Sequence, residues 1–175
     1  MVCHPHPLEG GSLDNKVAHT LARAFVQLGL QSVRFNFRGA GASEGAWDDG
    51  RGEIDDALAV VAAWRDPTLP LALAGFSFGG YVAAHAAARL LEASEAAWLV
   101  LVGPATENRV LPAVAADTLV VHGERDDVVP LAATLDWARP QALPVTVIPG
   151  GGHFFHGQLT LLKNIVVRAA PPSIR

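Results

Sequence analysis

The sequence predicts an α/β fold: doubly wound, with a mostly or wholly parallel sheet of about six strands and helices on both faces. Three observations predict it. Short apolar runs alternate with helical stretches six times, joined by short links, and such alternation builds a parallel sheet covered on both sides. Half of the 175 residues are hydrophobic and only 17% are charged, below the usual quarter; strands buried on both faces produce that skew. Finally, Gly75-Phe76-Ser77-Phe78-Gly79 stands between an apolar run and an Ala-rich run, a strand, a sharp turn and a helix in succession.

In chain order, residues 1–3 read as the end of a short strand, stopped by Pro5 and Pro7, which have no N–H for a central ladder. Asp14 or Asn15 can cap a helix through Val17, Leu21, Ala24, Phe25 and Leu28, which Gly29 ends. Residues 32–37 are expected to be a strand and residues 38–45 a glycine-rich loop. A helix over about residues 52–64 carries Ile54, Leu58 and Val61 on one face and stops before Pro67. Residues 71–74 are the strand before Ser77, and residues 81–91 the helix after it. Residues 97–102 and 118–121 are strands, and the loop 122–130 leads into a helix through Leu135 and Trp137. Residues 145–148 are the last strand, residues 149–156 a second glycine-rich loop, and a helix over about 158–167 precedes a tail expected to fray. Right-handed crossovers put every loop that follows a strand on one edge of the sheet, where ligands of such folds bind.

The composition excludes several classes. A net charge of −4 leaves no basic footprint for nucleic acid. No apolar run reaches the length of a membrane span, and the start has neither the charged nor the apolar region of a signal peptide. A single cysteine, Cys3, rules out an internal disulfide, which places the chain in the cytoplasm. One domain, residues 1–175, is expected.

The chemistry follows from what the loops carry. A serine hydroxyl is a poor nucleophile near neutral pH and needs a base, for which histidine has the right intrinsic pKa. The far ring nitrogen of that histidine needs a carboxylate to fix its tautomer. Ser77, Asp126 and His153 each follow a strand, in the order expected when the serine sits on such a turn. Asp127 competes with Asp126 but is better placed to start the next helix. His156 competes with His153, which follows three glycines directly. His122, at a strand end, reads as a packed residue fixing its loop. An oxyanion needs two N–H donors: that of Phe78, which opens a helix, and one from the turn after the first strand, either His6 or Leu8. His4 and His6 are too few ligands for a metal site, and no cofactor is implied. The two glycine-rich loops match no phosphate-binding pattern. Arg38 is expected to pair with Glu44, Glu53 or Asp55.

Together these motifs resemble the α/β-hydrolase family, and a group of small bacterial members in particular. The resemblance rests on His4–Pro7 with Gly10-Gly11, Asn15–Val17, Arg34–Gly45, Gly75–Gly79, His122–Pro130 and His153–Gly157. It implies a hydrolase without a cofactor, with Ser77 as nucleophile, Asp126 as acid and His153 as base. The expected reaction is cleavage of a carboxylic ester or thioester, with peptidase action or ligand binding without catalysis as alternatives. A small acyl substrate is implied, and Leu8 and Phe154 are candidates for its pocket. The family's usual first two strands are absent, so residues 32–37 would form an open edge at which two copies could pair into a homodimer. The short link between Gly103 and Asp117 leaves no room for a lid domain.

Overall fold

A computed structural model of the chain describes residues 1–92 and 97–174. Five parallel strands lie in the order β1 (Val2–Cys3), β2 (Ala72–Phe76), β3 (Trp98–Val102), β4 (Leu119–Gly123) and β5 (Val145–Ile148). Five α-helices accompany them among the described residues: α1 (Lys16–Gln27) and α2 (Arg51–Trp64) between β1 and β2, α3 (Phe78–Glu92) between β2 and β3, α4 (Leu131–Ala138) between β4 and β5, and α5 (Leu159–Ala169) after β5. Side chains of a strand alternate between faces, and the core divides accordingly. Ala72, Ala74, Phe76, Val100 and Val102 pack with α1 and α5, including Leu21, Phe25, Leu162 and Val166. Leu73, Leu99, Leu101 and Val120 pack with α2, α3 and α4, including Ile54, Val82 and Ala138. Both faces are thus covered, which explains why the strands are apolar runs rather than alternating ones.

The sixth expected strand, residues 32–37, makes only a single bridge, Val2 to Arg34. The physical reason lies in β1, which is two residues long because Pro5 and Pro7 cannot donate to a ladder. Beyond it, side chains replace the sheet bonds. The Phe37 N–H donates to His4 Nε2 at 3.1 Å, the Leu13 N–H to Asn36 Oδ1 at 2.8 Å, and the Ser43 hydroxyl to the Asn36 carbonyl at 3.1 Å. The stretch still fixes the topology. The chain leaves β1, crosses by α1 to the outer side, and returns by α2 to β2 on the inner side. Strand order therefore reverses at β1, and the crevice between the tips of β1 and β2 is the switch point where open α/β sheets bind ligands.

Local signals explain the helix ends. Asn15 Oδ1 accepts from the N–H groups of Val17 and Ala18, so Asn15 rather than Asp14 caps α1. α3 begins at Phe78, three residues earlier than its apolar pattern implies, because it starts directly from the turn at Ser77. The expectation of a frayed tail is corrected: Pro172–Ile174 forms a 3-10 turn, and Ile174 is buried in the core. Arg175 lies outside the described residues. Among the described residues no helix is inserted between β3 and β4, and none is long and apolar enough to cross a membrane.

Candidate active site

Ser77 follows β2 with a φ of +55°. That left-handed conformation costs a residue other than glycine roughly 1–2 kcal/mol, and its surroundings hold it there. The Ser77 N–H donates to the Val102 carbonyl at 3.0 Å, and the Ser77 carbonyl accepts from Gly80 at 2.9 Å and Ala105 at 3.2 Å. Two glycines allow the turn to close. A Cβ on Gly75 would run into the Gly79 carbonyl, and one on Gly79 into the carbonyls of Cys3 and His4. The turn therefore sits against the end of β1, with the Ser77 residue largely buried at the strand tip.

The loops after β4 and β5 bring up the other two groups. The Arg125 N–H donates to the Gly151 carbonyl at 2.8 Å, and the Gly150 N–H to the Glu124 carboxylate at 2.7 Å. Their close approach needs Gly123, whose Cβ would strike the Gly151 carbonyl. Across this junction His153 Nδ1 lies 2.7 Å from Asp126 Oδ2, with both side chains buried. Burial works to raise the Asp126 pKa, but the hydrogen bonds from His153 and from the Val128 and Val129 N–H groups outweigh it and hold the carboxyl below its usual range. An ionised carboxylate only accepts, so Nδ1 carries the proton in this bond. The pair leans on the tips of the neighbouring strands. The His153 ring is 4.8 Å from that of Phe76, the residue before Ser77. Gly103, at the end of β3, borders both partners in left-handed backbone with φ +47°, a conformation that favours glycine; a Cβ there would be in ordinary contact, 3.4 Å from Asp126 Oδ2 and 3.5 Å from His153 Nδ1. Among the described residues the Ser77 hydroxyl forms no hydrogen bond to His153; without substrate such bonds are commonly long and tighten only on binding.

The remaining candidates separate cleanly. Asp127 does not start α4, which begins at Leu131 after Pro130, so the helix-starting role expected of it is corrected. His156 is exposed, its ring 5.9 Å from that of Phe154. His122 is buried, its Nε2 donates to the Val129 carbonyl at 2.9 Å, and burial lowers its pKa. It thereby fixes the loop that carries Asp126. His4 is likewise spent: Nδ1 donates to the Pro5 carbonyl at 2.6 Å while Nε2 accepts from Phe37. Among the described residues no cluster of three or more metal-ligating side chains occurs. The His6 and Phe78 rings are 5.2 Å apart, so the turn after β1 lies against the start of α3. Phe154 stands 5.1 Å from the His153 ring, whereas Leu8 is 70% exposed, away from these contacts. Arg38 pairs with Asp56 at 2.7 Å, not with Glu44, Glu53 or Asp55 as expected; its own N–H reaches the same carboxylate at 2.9 Å and fixes that partner.

Residues 10–116 match the family model described as serine aminopeptidase, S33. The chain belongs to this family of α/β hydrolases. An α/β serine hydrolase homologue from Coxiella burnetii is 40% identical, with a TM-score of 0.84 over 97% of this chain and 83% of that one. An α/β serine hydrolase without a lid, from Xanthomonas campestris, is also 40% identical, with a TM-score of 0.85 over 98% of this chain and 82% of that one. A curated protein of Rickettsia prowazekii is 41% identical over 87 residues, which span 47% of this chain and 36% of that protein. The chain is thus a hydrolase of the α/β serine type, and its uninterrupted link from β3 to β4 agrees with the lidless relative.

Sequence reasoning missed three residues of this region. Gly103 was legible only as a glycine after a strand. Tyr81 and Arg109 gave no signal, because the contact between them joins the first turn of α3 to the loop after β3, which are far apart in the chain.

Proposed function

We propose that this hydrolase cleaves a carboxylic ester or thioester of a small acyl group through an acyl-enzyme. Ser77 Oγ attacks the acyl carbon while its proton passes to His153 Nε2. The Phe78 and His6 N–H groups hold the oxyanion. His6 is preferred to Leu8 because its ring lies on Phe78 while Leu8 faces solvent. As the tetrahedral adduct collapses, the leaving alkoxide or thiolate takes the proton from His153. A water molecule then gives a proton to the same nitrogen and attacks the acyl carbon; as this second adduct collapses, the bond to Ser77 Oγ breaks, that oxygen takes the proton back from His153, and the acid is freed. Asp126 fixes the tautomer and stabilises the imidazolium.

The observation that carries this reading is the buried 2.7 Å bond between His153 Nδ1 and Asp126 Oδ2, beside a serine held in left-handed backbone. The test is Ser77→Ala against short p-nitrophenyl esters. The fold should survive by circular dichroism while kcat falls on the order of 10⁶-fold. Undiminished turnover would remove Ser77 from the mechanism. A second reading, aminopeptidase action, is favoured by the match of residues 10–116 to the serine aminopeptidase model. Aminoacyl p-nitroanilides assayed beside the esters separate the two.

A further inference from the structure

We propose that Arg109 is a size filter for the acyl group: its side chain fills an aromatic box beside Ser77 and restricts the substrate to short chains. The inference rests on the serine-hydrolase reading above and adds a specificity-determining residue to it.

The link after β3 starts at the nucleophile, since the Ala105 N–H donates to the Ser77 carbonyl at 3.2 Å. Four residues on, the Arg109 guanidinium carbon lies 5.1 Å from the Phe78 and Tyr81 ring centres and 5.4 Å from that of Trp47. The rings form continuous walls. Trp47 is 4.4 Å from His6 and 4.9 Å from Phe78, and Phe78 is 5.9 Å from Tyr81. A guanidinium and its aliphatic stem pack well on such faces. Phe78 follows the nucleophile and His6 belongs to the turn opposite, so an acyl chain extending from Ser77 along this side meets the box. With Arg109 in place the box is occupied. Without it, the same rings would line an apolar pocket.

The side chain is fastened rather than resting there by chance. Its two terminal nitrogens donate to the Asp49 carbonyl at 3.1 Å and to Asp49 Oδ1 at 2.9 Å. The Arg109 side chain is 19% exposed while that of Asp49 is 70% exposed, so the pair closes the rim. Asp49 has φ +53° and Gly50 φ +93°. The strain at Asp49, a residue other than glycine, persists only where the surroundings hold it, and such strain concentrates at functional sites. Here the hold is Glu53, fully buried, which accepts from the N–H groups of Asp48 at 3.0 Å and Gly50 at 2.8 Å. Gly50 itself is pressed to the box: a Cβ would come 2.7 Å from Tyr81 Cε1 and 3.3 Å from the Arg109 guanidinium.

The test compares wild type, Arg109→Ala and Arg109→Met on p-nitrophenyl acetate and octanoate. Arg109→Ala should raise the octanoate-to-acetate ratio of kcat/KM about tenfold or more, through a lower KM for octanoate, since even one methylene in an apolar pocket is worth about tenfold. Arg109→Met keeps the bulk without the charge and should retain the wild-type ratio. Were Arg109→Ala not to fold, Arg109→Val, which keeps an apolar stem against the rings but leaves most of the box empty, should shift the ratio in the same direction. A brace with no role in specificity would lower the melting temperature and leave the ratio alone. A ratio within twofold of wild type in the folded variant, or an equal rise in Arg109→Met, overturns the filter. Fluorophosphonate labelling reports the nucleophile separately. Wild type that takes the label yet shows no shift in the variant sinks the filter alone, whereas wild type that takes no label and cleaves no ester sinks both readings.

Discussion

His4 and His153 follow strands β1 and β5 and are set to different tasks by their partners. His153 has a buried carboxylate on Nδ1. His4 has both nitrogens committed to backbone groups, and burial lowers its pKa from the ordinary 6.5 to about 4. Protonation would set an N–H of His4 against the N–H of Phe37. The sign of the pH effect follows. As pH falls below 6.5 the unfolded chain takes up the proton first. The stability from a neutral His4 is therefore fully present above that value and is lost as pH falls towards about 4, to the extent of about 3 kcal/mol. Urea unfolding at pH 7 and pH 4.5 should show this loss, and His4→Gln should show a smaller one. Identical pH dependence in the two proteins would mean that the residue is not the group responsible.

At the scale of the element, the strand–turn–helix of β2, Ser77 and α3 works because backbone approaches backbone where no side chain could fit. Gly79 faces the carbonyls of Cys3 and His4, and these cannot move aside as a flexible side chain would. Gly79→Ala should therefore cost at least the ~1–3 kcal/mol typical of overpacking, read as a lower melting temperature together with slower fluorophosphonate labelling. Gly80→Ala is the matched control and should be milder, since its Cβ would come 3.1 Å from Pro104 and only to ordinary contact, 3.5 Å, with the Gly75 carbonyl. Equal melting of both variants would show that the turn is less tightly closed than its geometry implies.

For the whole molecule, the sheet ends at residues 32–37, and what that edge offers decides how copies meet. A regular open strand invites pairing. Here the Phe37 N–H and the Asn36 side chain are already engaged within the chain, and only one bridge is regular. A second copy would have to straighten the stretch before adding to it. Light scattering is expected to give a monomer at micromolar concentration; a stable dimer would bear out the open-edge expectation drawn from the sequence.

Much of this protein was legible without coordinates, because the signals are local. Apolar runs between glycine and proline breaks mark the five strands, Gly75 and Gly79 mark the turn at Ser77, and strand-ending positions put Asp126 and His153 on the edge that carries it. Residues 32–37 look like a strand for the same local reasons, yet strandhood needs a partner, and two prolines shorten the only neighbour on offer. The choice of Asp56 for Arg38, the neutral state of His4 and the seat of Arg109 among Trp47, Phe78 and Tyr81 also belong to the tertiary structure. Each depends on which side chains from distant stretches of chain converge, and on how much water their meeting excludes, and neither quantity is written in the spacing of residues along one segment.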